Sequence, residues 1–303
     1  MTRSDWPSLT VITPTYNSGK YLAETIDSVL SQDIPKVEYF IVDGGSTDNT
    51  VEVIKRYEKH LAWWVSEPDQ GQANAVNKAV RRATCDFIVE VDSDDLLLPG
   101  AMHAALDVLR NTPGARWVAG GVLGFGTADA PRHDWHMPQV PRNLLDCITY
   151  RFQAGTPGHV WSREMMQAVG GNDESYRYLY DFEFFARLLE RGERCIAIDR
   201  PLAAYRFHPT SKSVAEIDKF AGEWARIHAA YIPKLPAHQQ VIARHRIAVQ
   251  RAGAEYTRAA TELAEGNGAG ARSRFLRALA SYPPSLLSRN GLGCARRLLL
   301  GTP

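Results

Sequence analysis

Apolar and polar positions follow a regular order along the first hundred residues of the chain. Four short runs rich in β-branched and aromatic residues predict strands over residues 9–13, 37–42, 61–67 and 85–92. Between these runs, apolar residues recur at helical spacing and predict helices over residues 20–32, 49–60 and 71–83. Strands that alternate with helices of this length are typical of an α/β protein with a mostly parallel sheet.

The pattern becomes less regular beyond residue 110. Further apolar segments predict strands over 116–126, 195–199 and 202–207 and helices over 163–169 and 181–192. After about residue 215 the composition shifts to helical segments rich in Ala and Arg. We therefore expect an α/β domain over residues 1–214 and a helical, basic extension over residues 215–303.

Composition places the chain among soluble globular proteins. Its 303 residues are 45% apolar and 23% charged, which excludes a disordered chain, a collagen-like repeat and a disulfide scaffold. The four cysteines lie far apart, which favours a reducing compartment, and neither a secretory signal nor a membrane-spanning apolar run is visible. We therefore expect a cytoplasmic protein.

The net charge of +1 hides an asymmetry between the two parts of the chain. From Ala221 onward, 12 Lys and Arg residues oppose 4 Asp and Glu residues, so this segment has a net charge of +8. It lacks the aromatic interleaving and motifs of nucleic-acid-binding proteins, so no nucleic acid partner is expected. Arg289, Arg296 and Arg297 lie among the leucines of residues 286–300 and predict a basic amphipathic helix. This helix either contacts the inner face of an anionic membrane or packs against the α/β domain.

Three aspartates, Asp92, Asp94 and Asp95, follow the fourth predicted strand. Ligands of open α/β sheets bind beyond the carboxyl ends of the strands. Carboxylates this close repel one another unless a cation or hydrogen-bond donors offset their charge, and oxygen ligands favour Mg²⁺ or Mn²⁺. The alternative is a solvated acidic turn that caps the next helix.

Polar clusters follow three other predicted strands, at residues 13–17, 43–50 and 66–79. Gly44 and Gly45 allow the backbone to approach a ligand closely, and Asp43 can accept a hydrogen bond from a nucleobase or a ribose hydroxyl. Each cluster alone is typical of a turn. Four of them at one edge of a sheet predict a nucleotide-binding crevice.

With these motifs in this order, residues 8–213 resemble the inverting family 2 glycosyltransferases of the GT-A fold. The motifs are T-P-T-Y-N at 13–17, D-G-G-S-T-D-x-T at 43–50, E-x-D-x-G-Q-x-x-A-x-N-K at 67–78, D-x-D at 92–94, G-G-x-D-E-S at 170–175, D-F-E-F-F-A-R-L at 181–188 and P-L-A-x-Y-R-x-H-P-x-S-K-S at 201–213. The resemblance implies a mostly parallel central sheet flanked by helices. It also implies transfer of a sugar from a nucleotide diphosphate, UDP or dTDP, to a hydroxyl with inversion.

The resemblance also implies the residues that bind the donor. These are Thr13, Pro14, Tyr16, Asn17, Asp43, Gly44, Asp69, Gln72, Lys78, Asp92 and Ser93. It further implies Mn²⁺ or Mg²⁺ held by Asp92, Asp94 and His208, which neutralises the diphosphate leaving group. For His208, a structural hydrogen bond at a strand end is the alternative.

Asp181, at the start of a predicted helix, corresponds to the catalytic base of the family. The helix dipole is expected to keep its carboxylate ionised and ready to accept the acceptor's proton. Many family members carry Glu at the preceding position, where this chain has Tyr180, so Glu183 is a rival candidate.

The resemblance implies a saccharide or lipid-linked saccharide acceptor and a role in the assembly of bacterial-type cell-surface polysaccharide or glycolipid. The acceptor is expected to contact residues 111–160, where no motif occurs. One alternative is a sugar-1-phosphate nucleotidyltransferase, whose G-x-G-T-R stretch is missing near the start of this chain. Another is a nucleotide-sugar-binding protein without catalytic activity.

Overall fold

The computed structural model describes residues 6–126, 140–150, 156–212, 216 and 219–300. The chain divides into two compact units, Met1–Tyr231 and Ile232–Pro303. The boundary between these units lies after the helix Phe220–Tyr231, whereas the sequence predicted a domain boundary at residue 214.

The described part of the first unit contains eight strands and eight helices. The strands are β1 (Leu9–Thr15), β2 (Val37–Asp43), β3 (Trp63–Ser66), β4 (Phe87–Glu90), β5 (Leu96–Leu97), β6 (Trp117–Gly126), β7 (His159–Ser162) and β8 (Ile196–Phe207). The helices are α1 (Leu22–Leu30), α2 (Thr50–Tyr57), α3 (Gln72–Arg82), α4 (Ala101–Asn111), α5 (Leu144–Ile148), α6 (Arg163–Ala168), α7 (Tyr180–Glu190) and α8 (Phe220–Tyr231). A short 3-10 helix, Glu58–His60, follows α2.

The eight strands form one sheet in the order β3-β2-β1-β4-β7-β6-β8-β5. The pairs β3–β2, β2–β1, β1–β4 and β6–β8 are parallel, as the α/β pattern predicted. Strand β7 is antiparallel to β4 and β6, and β5 is antiparallel to β8, so the sheet is mixed rather than almost entirely parallel. The predicted alternation therefore holds best over the first four strands.

Two prolines lie inside strands, so β1 runs beyond the predicted range 9–13 and the predicted ranges 195–199 and 202–207 form one strand. Strand β1 continues through Pro14 because β4 pairs with β1 only as far as Ile12, so the missing N–H at Pro14 disrupts no ladder on that side. Strand β8 continues through Pro201 beside a register shift in β6 at Gly120 and Gly121. A Cβ atom at Gly120 would lie 2.6 Å from the Arg200 carbonyl oxygen, so the bulge requires glycine there.

The core lies between the sheet and its helices. Leu22 and Ile26 of α1 are fully buried against Val11 and Ile41 of the sheet, as the helical spacing predicted. Leu30, the last residue of α1, is 37% exposed, whereas its neighbour Val29 is buried. The core fixes the helices on the sheet and leaves the carboxyl ends of β1, β2 and β4 to carry polar loops.

The second unit consists of helices α9 (Ala237–Ala264), α10 (Gly268–Ser281) and α11 (Arg289–Leu300), with 3-10 turns at Ile232–Lys234 and Pro283–Leu287. Its core contains Tyr256, four alanines and Cys294. Arg274 pairs with Glu255 at 2.8 Å and with Glu262 at 2.7 Å, which joins α10 to α9. No helix in the described part of the chain is long and apolar enough to cross a membrane.

Candidate functional site

The loops that follow β1, β2 and β4 meet at the carboxyl edge of the sheet. Asn17 adopts a left-handed conformation with φ of 50°, and its Oδ1 accepts a hydrogen bond from the Thr47 N–H at 2.9 Å. The Asn17 N–H donates to the Ser46 hydroxyl at 2.7 Å, and the hydroxyls of Ser93 and Ser18 lie 2.7 Å apart. The predicted polar clusters after these three strands therefore form one surface.

Asp43 orders the turn after β2. Its carboxylate is fully buried and accepts hydrogen bonds from the Ser66 hydroxyl at 2.6 Å, the Ser46 N–H at 3.0 Å and the Ser46 hydroxyl. These donors shape the turn that brings Gly44 to the sheet edge. The predicted contact between Asp43 and a nucleobase stays a prediction.

Gly44 lies directly against the Asp69 carboxylate. A Cβ atom at Gly44 would lie 2.8 Å from Asp69 Oδ2, so glycine is required for this approach. Asp69 Oδ1 accepts a hydrogen bond from the Gly71 N–H at 2.8 Å. Lys78, predicted to contact the diphosphate, forms an ion pair with Glu67 at 2.7 Å.

The T-P-T-Y-N segment presents only its end to solvent. Thr13 and Pro14 are buried, and the Thr13 hydroxyl lies 3.1 Å from the Tyr39 hydroxyl. Tyr16 is 62% exposed. Of these residues, Tyr16 and Asn17 are the ones that a ligand at the sheet edge can reach directly.

The two-residue strand β5 brings the D-x-D turn to the end of β8. Leu96 pairs with Ala204 in antiparallel register, which sets the preceding aspartates opposite the residues that follow Ala204. As a result, His208 Nε2 lies 2.8 Å from Asp94 Oδ2, and His208 Nδ1 lies 2.9 Å from the Thr210 hydroxyl. This geometry joins two of the three predicted metal ligands.

Arg206 holds the turn in this position. Its backbone N–H donates to Asp95 Oδ1 and its Nε donates to the Asp94 carbonyl, both at 2.8 Å. The guanidinium also pairs with Glu24 of α1 at 2.6 Å and lies 4.7 Å from the centre of the Tyr21 ring. The D-x-D turn is therefore fixed to both β8 and α1.

A hydrogen-bond network lies beside Asp92 and runs from the buried Glu90 and Tyr180 to the exposed Lys212. Gln72 Nε2 donates to Asp92 Oδ1 at 2.6 Å and to Glu90 Oε1 at 3.2 Å. The Tyr180 hydroxyl donates to Glu90 Oε1 at 2.5 Å, and Lys212 Nζ donates to Gln72 Oε1 at 2.9 Å. The network connects the D-x-D turn with the start of α7 and with the segment after His208.

Sequence reasoning did not select Glu90, Tyr180 or Lys212 as site residues. Glu90 lies two positions before Asp92, so the alternation along β4 was a usable signal that both side chains point to the same face. Lys212 lies in the S-K-S end of the last motif. For Tyr180, the signal was its position next to Asp181.

The carboxyl groups of this site are only partly neutralised by protein donors. Burial and the charge of Asp94 raise the pKa of Asp92 to about 7. Burial, followed by the charge of Asp92, raises the pKa of Glu90 well above its ordinary value. Asp95 Oδ2 is buried and no described donor reaches it. The cluster therefore carries negative charge that a bound cation would offset.

The side chains fit a cation that takes part of its coordination from a ligand. The described residues contain no group of three or more His, Cys, Asp and Glu side chains arranged to hold a metal alone. Asp94 and His208 supply two donors in contact, and Mg²⁺ is usually held by one or two carboxylates together with phosphate oxygens and water. Asp92 adds a second carboxyl nearby.

Asp181 lies in the first turn of α7, as predicted. Burial raises its pKa to about 6, although its Oδ1 accepts a hydrogen bond from the Phe182 N–H at 2.8 Å. The expected effect of the helix N-terminus is therefore outweighed by burial. The rival, Glu183, pairs with Arg187 at 2.8 Å and accepts a hydrogen bond from the Tyr231 hydroxyl at 2.8 Å.

Glu223 of α8 fixes the segment that leads into α7. Its carboxylate accepts hydrogen bonds from the backbone N–H groups of Arg177, Tyr178 and Leu179 at 2.7 to 2.9 Å. These contacts set the position at which α7 begins and therefore where Asp181 lies. Of the predicted acceptor region, residues 127–139 and 151–155 lie outside the described residues.

The sequence matches known glycosyltransferases. Residues 10–160 match the family model described as Glycosyl transferase family 2. TuaG of Bacillus subtilis, named for teichuronic acid biosynthesis, is 41% identical over 216 residues, which cover 67% of this chain and 81% of that protein. Chondroitin synthase of Escherichia coli is 36% identical over 191 residues, which cover 61% of this chain and 27% of that protein. The chain thus spans about a quarter of the latter.

Solved structures share the fold at low sequence identity. A crystal structure of Staphylococcus aureus TarS in complex with UDP-GlcNAc has a TM-score of 0.57 and 18% identity, and the match covers 93% of both chains. The mannosyltransferase PcManGT of Pyrobaculum calidifontis, in complex with GDP-Man and Mn²⁺, has a TM-score of 0.55 and 20% identity, covering 97% of this chain and 87% of that one. The predicted GT-A fold and the resemblance to family 2 are confirmed.

The raised pKa values predict that stability falls with pH in metal-free buffer. The folded protein keeps the protons of Asp92 and Asp181 up to about pH 7 and 6, whereas the unfolded chain releases them near pH 4. Raising the pH through this window therefore removes stability. We expect the melting temperature in EDTA to fall between about pH 4 and 7, and Asp92→Asn to reduce that fall.

The control is Asp107→Asn, which alters a half-exposed carboxylate paired with Arg110 on α4. It should leave the pH dependence as in the wild type. Equal slopes for Asp92→Asn and wild type would show that Asp92 does not titrate in this range.

Proposed function

Because the chain belongs to glycosyl transferase family 2, we propose that it transfers a sugar from a nucleotide diphosphate donor to an acceptor hydroxyl with inversion. The observation that carries this proposal is the contact between Asp94 and His208 at the carboxyl edge of the sheet. The charge of Asp181 acts on both Asp92 and Glu90, which supports a single site. TarS, whose fold this chain shares, is known in complex with UDP-GlcNAc and with UDP.

The donor nucleotide would lie along the loops after β1 and β2. The exposed ring of Tyr16, the side chain of Asn17 and the backbone at Gly44 line this surface. Family resemblance favours uracil or thymine as the base. Gln72 and Lys212 would contact the donor farther along, because both adjoin Asp92.

Asp94 and His208, with Asp92 nearby, would hold Mn²⁺ or Mg²⁺ at the diphosphate. The bound cation supplies Lewis-acid neutralisation of the leaving group. The protein itself fixes the two ligands through the β5–β8 pairing and through Arg206. PcManGT, a neighbour in fold, is known with Mn²⁺ and GDP-Man.

Asp181 would act as the general base. As the acceptor oxygen attacks the anomeric carbon, the bond to the diphosphate oxygen breaks and its electron pair stays with the diphosphate. The acceptor's proton passes to the Asp181 carboxylate, which a pKa of about 6 leaves mainly ionised at neutral pH. Glu183 is less suited because Arg187 and Tyr231 already engage its carboxylate.

We propose that the reaction serves polysaccharide or glycolipid assembly at the cytoplasmic side of a membrane, with a saccharide or lipid-linked saccharide as acceptor. The name of TuaG, which refers to teichuronic acid biosynthesis, supports this role. A binding protein without activity is the alternative. It is disfavoured because Asp181 lies in the first turn of α7 and Asp94 contacts His208, which are the residues that the reaction would need.

A membrane contact through α11 has support within the second unit. Cys294 faces the core of this unit, whereas Leu292 and Leu299 are 53% and 85% exposed. At 100° per residue, Arg289 and Arg296 lie within about 80° of these leucines on the outward face. An exposed helix face that combines leucine and arginine, with no acidic residue on the helix, fits an anionic lipid surface.

Removing the metal ligand should abolish metal-dependent nucleotide binding. With Mn²⁺ and UDP or dTDP at about a hundredfold excess over Kd, we expect a thermal shift of about 5 °C in wild type and none in Asp94→Ala. GDP and CMP provide the comparison nucleotides, and Asp107→Asn is the matched control. An unchanged shift in Asp94→Ala would contradict the metal assignment.

Replacing the base should separate catalysis from binding. Asp181→Asn should keep the nucleotide-dependent thermal shift and lower kcat by about 10² to 10⁴, the usual contribution of a general base. The assay measures nucleotide release from the sugar donors of the nucleotide that binds. Full activity in this variant would move the role to another residue, and Glu183→Gln would then be tested.

Acidic substitutions on the exposed face of α11 should abolish membrane binding. The double variant Leu292→Asp, Leu299→Asp should lose flotation with phosphatidylglycerol vesicles because it places negative charge at the lipid surface. Leu276→Asp, which alters a leucine that is 61% exposed on α10, is the control. Equal flotation of the double variant and wild type would rule out this contact.

A further inference from the structure

An aromatic cluster lies directly beside Asp181. The rings of Tyr150 and Phe182 are 5.4 Å apart, and both contact Trp224 of α8, at 5.9 and 4.9 Å. His228 stacks on Trp224 at 5.5 Å, and its Nε2 lies 2.9 Å from the Ile148 carbonyl oxygen. Helices α5, α7 and α8 therefore meet in this cluster.

Tyr150 forms the solvent-exposed edge of the cluster. Phe182 is buried and Trp224 is half-buried, whereas Tyr150 is 51% exposed. Tyr150 has a φ of 49°, in the left-handed region that favours glycine. Its N–H donates to the Cys147 carbonyl at 3.1 Å at the end of α5. A large aromatic ring is thus held at a helix end where glycine would be the easier residue.

The cluster and Asp181 share one local environment. Phe182 follows Asp181 directly, and its carbonyl lies 3.7 Å from Cys147 Sγ. Burial and then the charge of Asp181 raise the pKa of Tyr150, so the carboxylate acts on the phenol ring. A molecule that lies on the Tyr150 ring is therefore next to the base.

We propose that Tyr150, backed by Phe182 and Trp224, is the platform on which the ring of an acceptor sugar stacks. Resting on the proposed function, this assignment names the class of acceptor. Aromatic rings of binding sites provide an apolar face with a polar edge, which suits the apolar face and hydroxyl rim of a pyranose. Stacking there would direct an acceptor hydroxyl toward Asp181.

The charges around the platform favour a neutral sugar. Asp181 directly precedes Phe182, and Asp146 directly precedes Cys147, whose carbonyl accepts the Tyr150 N–H, so two carboxylates flank the platform. An acceptor residue with a carboxylate or phosphate at this position would be repelled by these groups. We therefore expect a neutral pyranose at the acceptor end rather than a uronate.

Saturation-transfer NMR tests the platform with small probes. The probes are methyl β-N-acetylglucosaminide, methyl β-glucoside and methyl β-glucuronide, with the 303-residue protein, UDP and Mg²⁺ present. We expect saturation of the ring protons of the two neutral glycosides and a weaker signal from the glucuronide. Tyr150→Ala should weaken binding of the neutral glycosides about 3- to 10-fold, the size of one aromatic stacking contact.

Three further variants separate binding from folding. Tyr150→Gly fits the left-handed backbone, and the strain that it relieves offsets part of the ring packing that it loses, so it should fold and still lose the glycoside signal. Val37→Ala, which truncates an exposed apolar residue at the amino end of β2, is the matched control and should change neither property. Tyr150→Phe retains the ring, so it should restore most of the signal that Tyr150→Ala loses.

The UDP-dependent thermal shift distinguishes a failure of the Tyr150 platform from a failure of the proposed function. If wild type shows this shift but no glycoside signal, or a signal that Tyr150→Ala and Tyr150→Gly leave unchanged, the platform is overturned and the donor site stands. If wild type shows no shift with any nucleotide, the proposed function itself fails. A stronger signal from the glucuronide than from the neutral glycosides would overturn the neutral-sugar assignment.

Discussion

The geometry of the site depends on the contact between Arg206 and the turn at residues 92–95. A single side chain and its own backbone N–H engage Asp94, Asp95 and Glu24, which ties the end of β8 to the loop after β4 and to α1. Without Arg206, the D-x-D turn would be held near His208 mainly by the backbone pairing of the two-residue strand β5 with β8. Asp94 and His208, more than a hundred positions apart, therefore meet because the hydrogen bonds of Arg206 hold the two segments together where the strand pairing is short.

The same turn concentrates negative charge in a buried place. Burial and mutual repulsion raise the pKa values of Glu90, Asp92 and Asp95, and the available donors from Gln72, Tyr180 and Arg206 offset only part of this cost. Several carboxyl groups so close together destabilise the folded protein. A cation bound among them together with a diphosphate would offset that cost. The hydrophobic core beneath the turn, built from β1, β2 and β4 with α1, stabilises the fold and so compensates for this destabilisation.

Much of the fold follows from local patterns in the sequence. The first four strands, their helices and the polar clusters at one sheet edge could be predicted because each depends on short-range periodicity and on the rule that parallel strands end together. The β5–β8 pairing could not be predicted, because a strand of two residues is too short to show an alternation of apolar and polar positions. Glu183 was kept as a rival to Asp181 because the contact of its carboxylate with Tyr231 comes from a distant helix, although its partner Arg187 lies only one turn farther along α7. The effect of burial on the pKa of Asp181 also depends on tertiary packing that the sequence does not display.

The three hydrogen bonds from residues 177–179 to Glu223 have a consequence for the limits of the catalytic module. The recognisable motifs end at residue 213. The segment that leads into α7, the helix that carries Asp181, is nevertheless held by Glu223, ten residues beyond them. A chain that ended at residue 213 would keep all the motif residues. It would lose Glu223, which sets the position of Asp181. Any rearrangement that joins this module to a different partner, in evolution or in the laboratory, therefore has to carry α8 along with the sheet.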